Sequence, residues 1–536
     1  MGERFNGSFL ESFVSCCKNV GVLAFLLLMP AAQVWFWLWL FFRSGIIDYV
    51  PLFGDWMIYW RESATLHSVL FGGGFYGHEE MISLASKITG KGVTFTHSVT
   101  YPLFMGLFGR LVGWELYTPI VWNITVLTCA LAVLHLVVRN FFLSLSVLIF
   151  IVTFPIIAFQ TAIANQEATN LAIGIIFAVL YLEFYKAKGS AQRGRLRWLV
   201  FVFSFVTALI RTDWLFAIFP VVVQRDFWAG SNVKKLCKAS LIVLFVGILY
   251  FVYGSFVAPY PYDLFPGAPK FGLYPLLELL KGSFLPILHL SAVNIKYLAS
   301  VDVITNSPVL VSSLIMLLFA VILALSKQSG SLGSVDKGTI LAAQVFGAHI
   351  IFLFLLFVVY YYMVQADRIL MPHYVLCFIV LAYIFRGPFV VSVIAVNIIL
   401  FPGIVELGRY ALSNDYGRSH YARLEMNMYA KDIEANIIYD PEKSPWCNTV
   451  AVFDYDFDPI LLKIPMPIGM SVMRELPENF LGSGMPDVNN TLQSKYVYIG
   501  SGNKYRGSIN ANYLRPLVTF PQGTFYLNLQ AKQCVE

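Results

Sequence analysis

Residues 196–228, LRWLVFVFSFVTALIRTDWLFAIFPVVVQRDFW, form one apolar run cut in the middle by Arg211 and Asp213. Basic clusters flank it. Lys186, Lys188, Arg193, Arg195 and Arg197 precede it or open it, and Arg225, Lys234, Lys235 and Lys238 close it or follow. A single membrane span would put these clusters on opposite sides. Lys and Arg collect on the cytoplasmic side of short membrane loops, so both clusters belong together. Two short helices turning at Arg211–Asp213 on the far side satisfy that requirement.

The rest of the chain follows from this turn. A spanning helix needs about 20 apolar residues. Runs that meet or approach this occur at 20–42, 115–138, 141–159, 166–185, 239–257, 307–325, 340–363, 369–385 and 388–406. With the split pair, eleven spans are expected. The first run is too long for a secretory signal and lacks a small-residue cleavage site, so it reads as a retained span. Arg4 and Lys18 keep the N-terminus inside, and Arg139, Lys327, Lys337 and Arg386 fall on the same side. An odd span count puts the C-terminus outside, together with the long segments 43–114, 258–306 and 407–536.

Composition agrees. The 536 residues are 58% hydrophobic and 13% charged, with mean hydropathy +0.69. Soluble domains carry about 25% charged residues. This excludes a disordered protein, a disulfide scaffold and an ordinary cytosolic enzyme. The net charge of +6 sits between apolar runs, without the basic–aromatic interleaving of a nucleic-acid binder. The expected architecture is an all-α polytopic membrane bundle over residues 1–406, with a soluble α/β domain over 407–536.

That last segment is polar. Asp440-Pro441, Ser483-Gly484 and Pro521-Gln522-Gly523 separate short β-rich runs at Thr449–Tyr455, Tyr496–Ile499 and Thr524–Leu529. Cys16, Cys17, Cys129, Cys237 and Cys377 lie in or beside spans; Cys447 and Cys534 alone fall in the outer segment. An oxidising compartment would join those two as a disulfide. No CxxC pair or His/Cys cluster points to a structural metal.

The first outer loop holds the most chemistry. If 54–66 is helical, Asp55, Tyr59 and Glu62 share one face, opposite Met57, Trp60 and Ala64. An acid just after a span suits a substrate at the membrane surface; a first-turn Asp favoured by the helix dipole is the plainer alternative. Gly72-Gly73-Gly74 is a flexible turn, with no strand before it and no Lys-Ser/Thr after it. His78-Glu79-Glu80 reads as a solvated loop. The segment Thr96-His97-Ser98-Val99-Thr100-Tyr101-Pro102 leads into Leu103–Trp114, with Phe104, Leu107, Phe108 and Leu111 on one side. That stretch reads as a helix lying in the interface.

Three outer-edge groups hold polar residues at membrane depth, where they are costly unless paired or used. They are Asn165-Gln166-Glu167, Arg211 with Asp213, and Asp367-Arg368, which separates two spans and is followed by Met371-Pro372-His373. Each Asp/Arg neighbour pair has a structural ion-pair reading. Arginine also grips phosphate through two parallel hydrogen bonds. His289 and His373 read as structural singletons.

Together, Asp55 after span one, Tyr101-Pro102-Leu103-Phe104, Asn123, Leu209-Ile210-Arg211 and Asp367-Arg368-Ile-Leu-Met-Pro372 resemble the GT-C superfamily of polytopic glycosyltransferases. That superfamily includes aminoarabinose, arabinofuranosyl and O-mannosyl transferases and O-antigen glucosyltransferases. The resemblance covers roughly 40–405 in layout and implies a polyprenyl-phosphate-sugar donor, a glycan, lipid or protein acceptor, and inversion at the sugar. It implies Asp55 as general base, with Glu62 as the nearest second acid because Trp56 stands where many members carry one. It implies Arg368 and Arg211 at the carrier phosphate; Tyr59, His97 and Tyr101 are candidate substrate contacts. No motif supports a divalent metal or other cofactor. A flippase, a lipid-linked glycan polymerase or ligase, and a non-enzymatic scaffold are the competing readings. The expected location is a bacterial inner membrane with the site facing the periplasm, or an endoplasmic reticulum membrane facing its lumen; Asn489-Asn-Thr491 is a glycosylation acceptor pattern.

Overall fold

The structure is a computed structural model. It describes residues 5–43, 55–69, 100–154, 165–222, 363–385, 387–399, 429–440, 445–453, 470–474, 494–501, 511–521 and 523–531, with a few residues beside these stretches. The expected spans at 239–257, 307–325 and 340–363, the loop 258–306, and His78, His97 and Asn489 lie largely or wholly outside the described residues.

The first helix, α1 (Phe5–Phe42), contains the apolar stretch Val20–Leu40. Two shorter helices follow, α2 (Asp55–Val69) and α3 (Thr100–Val112). Then come α4 (Thr118–Val138), α5 (Phe141–Thr153), α6 (Glu167–Lys186) and α7 (Ser190–Ala208). Beyond Ala208 the chain turns and enters a 3-10 helix, Thr212–Ile218, that runs into a single α turn, Phe219–Val222. The run 196–228 is thus broken at Arg211–Asp213. Helices α8 (Met363–Phe385) and α9 (Gly387–Ile399) complete the described bundle. Among the described residues, the Val20–Leu40 part of α1, α4 and α6 are long and apolar enough to cross a membrane.

Two expectations change. Helix α8 runs without interruption from Met363, so Asp367–Arg368 lies in its first turns and does not separate two helices. Helix α5 ends at Thr153 and helical residues resume at Ile157 and Gln160–Thr161, so the expected run 141–159 is broken at Phe154. Phe154 adopts an extended backbone, φ −94° and ψ 101°, because the proline at 155 disfavours helical geometry in the residue before it.

Helix α6 is the hub. It is buried along most of its length, including Glu167, Asn170 and Phe177, and packs against α4, α7 and α8. The approach to α8 depends on Gly174, where a Cβ would stand 2.5 Å from the Pro372 carbonyl oxygen. Helix backbone cannot give way there as a flexible side chain would. Gly174→Ala is therefore expected to cost about 1–3 kcal/mol, read as a lower thermal midpoint in detergent. An unchanged midpoint would mean that α6 and α8 are not so close.

The C-terminal part forms a five-stranded sheet with β1 (Thr449–Phe453), β2 (Ser471–Arg474), β3 (Tyr496–Gly500), β4 (Leu514–Phe520) and β5 (Gly523–Asn528) in the order β2-β1-β3-β5-β4. Strand β1 pairs in parallel with β2 and β3, whereas β5 runs antiparallel to β3 and β4. Pro516, which has no N–H to give, sits beside a register shift on the edge strand β4. All of β3 is buried. Val497 and Ile499 pack with Ala451 on one face. Tyr496 and Tyr498 pack on the other with Val34, Trp37, Leu38, Tyr49, Ile120, and Ile433 and Ile437 of a short helix, α10 (Ala430–Asn436). The sheet therefore rests on the C-terminal end of α1 and the N-terminal end of α4.

Cys447 and Cys534 are joined, with Cα atoms 5.1 Å apart across 87 residues of sequence. Both are buried against Ala531, so the link ties the chain's end to the start of β1. Replacing both with serine is expected to destabilise the sheet by about 2–4 kcal/mol, seen as faster proteolysis of the C-terminal segment in the absence of reductant. Equal proteolysis of both proteins would show the link to be dispensable.

Candidate active site at the sheet-covered end of the bundle

Helix α2 begins at Asp55, one turn before Tyr59. Its inner side is set by Tyr59, Glu62, Ser63, Ala64 and Leu66, all buried. Burial thus includes Ala64 from the side opposite Asp55, and the helix is enclosed on more than one face. It packs closely on α3, where a Cβ at Gly106 would stand 2.8 Å from the Ser63 carbonyl oxygen. Arg110 of α3 donates to the carbonyls of His67 and Ser68 at 2.7 and 3.3 Å, placing a cation where the last carbonyls of α2 gather negative charge. Burial, then the Arg110 charge, hold His67 below the ordinary histidine value. Helix α3 exposes Phe104, Leu107 and Leu111, whereas Phe108 packs edge-on against Trp122.

The inner sides of α2 and α3 meet through Tyr59 and Tyr101, whose rings pack edge to face at 5.1 Å. Tyr101 donates to the Asn165 carbonyl at 2.6 Å. Its phenol also lies within electrostatic reach of Glu167 and Tyr49. The chain before α6, where the helical residues Gln160–Thr161 give way to a turn, is held from within: Asn123 Nδ2 of α4 donates to the carbonyls of Thr161 and Ile163 at 3.2 and 2.7 Å. Asn165 caps the turn, accepting from the Glu167 N–H at 3.0 Å and donating to Gln160 at 2.6 Å. Irregular backbone at membrane depth survives where protein groups satisfy it, and these side chains do so.

Beneath the tyrosines lies a buried charge cluster. Arg211 Nη1 meets Glu167 Oε2 at 2.9 Å, and Nη2 meets Asp213 Oδ2 at 2.7 Å. Its Nε donates to both Asp213 oxygens at 2.9 Å. His373 Nε2 of α8 lies 2.7 Å from Asp213 Oδ2. That oxygen belongs to a carboxylate paired with arginine and accepts, so His373 donates from Nε2. Trp214 stacks on His373 at 4.5 Å and donates to Asn170 Oδ1 at 2.9 Å. Ser204 of α7 donates to the Trp214 carbonyl at 2.6 Å, and Tyr181 donates to the Ala217 carbonyl. The turn after α7 is thereby fixed against α6, α7 and α8. The Tyr59 phenol is close enough to act on the Arg211 charge, which links α2 to the cluster.

Tyr59, Glu62, Tyr101 and Arg211 are therefore gathered at one end of the bundle. Asp55 heads α2 and Arg368 lies in the first turns of α8; both side chains, like His97, are outside the described ones. Glu167, Asp213 and His373 are the additions, since the sequence presents them as a polar residue opening a span, half of a neighbouring ion pair and a lone histidine. Among the described residues no group of three His, Cys, Asp or Glu side chains is placed to hold a metal ion. The carboxylates of the cluster are occupied by Arg211 and His373.

No protein-family profile matches the chain, and no curated protein matches its sequence. Two solved structures are similar to it. One is the crystal structure of ArnT from Cupriavidus metallidurans in the apo state, 13% identical, covering 96% of this chain and 99% of that one, with a TM-score of 0.43. The other is the same protein bound to undecaprenyl phosphate, 14% identical, covering 92% and 97%, with a TM-score of 0.38.

Proposed function

We propose that the chain is an integral membrane glycosyltransferase that moves a sugar from a polyprenyl-phosphate carrier to a hydroxyl of a glycan, lipid or protein acceptor. One observation carries this reading: segments far apart in sequence, each matching part of the GT-C pattern, converge at the end of the bundle where α2 begins. Helix α2 opens with Asp55 and sets Tyr59 against Tyr101 and the Arg211 cluster.

In this reading Asp55 accepts the proton of the acceptor hydroxyl as that oxygen bonds to the anomeric carbon. The carbon–oxygen bond to the carrier phosphate breaks, the configuration inverts, and the lipid phosphate departs with the bonding electrons. A carboxylate within hydrogen-bond reach supplies the base, and a cation offsets the charge that develops on the leaving group. Arg211 already serves Glu167 and Asp213, so its part is to shape the site beneath the phosphate. Arg368, near the start of α8 and five residues before His373, is assigned the phosphate contact. Glu62 is the second acid of α2. The site faces away from the cytoplasm, eleven spans complete the bundle, and residues 407–536 form an outer domain.

Arg368→Ala is expected to raise the apparent KM for the lipid donor by roughly tenfold or more, with less effect on turnover at saturation, because a charged phosphate contact contributes about 1.5–3 kcal/mol. A fall in turnover with unchanged KM would remove Arg368 from the phosphate. Mass spectrometry of envelope glycolipids and glycans from the source cell and its deletion strain tests the whole reading. Loss of a single sugar increment supports it. Loss of long glycan chains with every sugar retained would favour a polymerase.

A further inference from the structure

The end of the bundle opposite the charge cluster carries a second charged surface, of one sign. Helices α4 and α6 finish there and α7 starts there. Lys186 Nζ donates to the Val138 carbonyl at 3.2 Å and lies 5.5 Å from the centre of the Tyr383 ring of α8. Arg193 donates to the Ala187 carbonyl at 3.0 Å, and Arg197 lies over Phe184 at 5.8 Å. Arg139, Lys188 and Arg195 are exposed beside them. Six cations therefore share one end. Among the described residues of these helix ends the one carboxylate is Glu183, already paired with Lys186 at 2.8 Å.

Helix α7 makes this arrangement costly in isolation. It starts at Gly189 with no side-chain cap and no acid in its first turn. Arg193 thus stands at the end of its first turn, near the positive end of the dipole, where cations are disfavoured, and Arg195 and Arg197 crowd further positive charge onto the next two turns. Immediately beyond the arginines the same helix exposes Trp198, Leu199 and Val202, at 67%, 53% and 56%. Such an apolar flank with an indole at its border matches the level where acyl chains give way to headgroups.

We propose that this collar, centred on Arg139, Lys188 and Arg195, is a binding surface for the phosphate headgroups of anionic glycerophospholipids in the leaflet around it. Basic clusters next to a spanning helix attract anionic lipid at a sizeable free energy per charge, and the attraction is screened by salt. The surface is separate from the proposed catalytic end and does not rest on that proposal.

The test uses the full chain in detergent, titrated with phosphatidylglycerol or phosphatidylcholine and read as retained lipid by native mass spectrometry. The wild-type protein is expected to prefer phosphatidylglycerol, and K188Q/R195Q to bind it roughly thirty-fold more weakly. Raising the salt from 0.1 to 0.5 M before desalting should erase most of the preference. Equal retention of the two lipids by the wild type would overturn the proposal, as would undiminished phosphatidylglycerol binding by the double variant. Should the double variant lose thermal stability in phosphatidylcholine, Arg195→Gln alone, at an exposed position, is expected to lower affinity roughly fivefold; no change in that variant would likewise overturn it.

Discussion

Asp55→Asn should abolish nearly all sugar transfer, by roughly 10²–10⁴-fold, while the protein reaches the membrane at its normal level. The substitution keeps the size of the side chain and its ability to accept a hydrogen bond. It removes the negative charge that takes the proton in the proposed mechanism. The helix itself is held elsewhere, by the buried Tyr59, Glu62, Ser63 and Leu66 and by Arg110 on its last carbonyls, so its position should not depend on the first residue. Losing the acid at the head of a helix costs a few tenths of a kcal/mol to about 1 kcal/mol, too little to unfold the bundle. The measurement is transfer by membranes at matched protein level, alongside the thermal midpoint of the purified variant. Activity within threefold of wild type would remove Asp55 as the base and shift attention to Glu62, the other acid of α2.

Arg211→Met should have the largest effect on stability, about 3–5 kcal/mol. Two carboxylates, Glu167 and Asp213, lean on this one guanidinium, and their side chains are only 1% and 9% exposed. Removing the cation leaves both charges in a poorly solvated interior, and His373 is at hand to compensate only Asp213. Adding Glu167→Gln should recover part of the loss, because one stranded charge is then neutral. Arg211→Lys should fall between, since an ammonium keeps the charge but not the planar fork that spans two acids. Yield and thermal midpoint in detergent measure these effects. A stable Arg211→Met protein with impaired donor use would instead place this arginine at the carrier phosphate.

Local and periodic features were legible in the sequence. The apolar runs place α1, α4 and α6, and the i, i+4, i+7 pattern of Asp55, Tyr59 and Glu62 anticipates α2. The polar interruption at Arg211–Asp213 marks a real turn, since a 3-10 segment begins at Thr212. Convergence was not legible. Arg211 and Glu167 are 44 residues apart, and His373 is 160 residues from Asp213. Each polar group has a sufficient local explanation, an adjacent ion pair or a lone structural histidine. The packing of α6 against α8, permitted by Gly174, together with the turn after α7 held by Ser204 and Tyr181, brings them to one place. The same limit explains Asp367-Arg368: two charges in an apolar run suggest a loop, but a helix can carry them in its first turns, as α8 does.

The truncation of α5 bears on the bilayer itself. Thirteen residues at 1.5 Å each span about 20 Å, against a hydrocarbon core of about 30 Å. Phe141, Phe142, Ile149 and Val152 are exposed on it, and helical residues resume beyond the break at Ile157 and Gln160–Thr161, so the bilayer would meet two helical pieces where one continuous span was expected. The break also frees backbone carbonyls from helical partners, and the Asn123 amide, which reaches those of Thr161 and Ile163, is what lets the chain change direction between two buried helices.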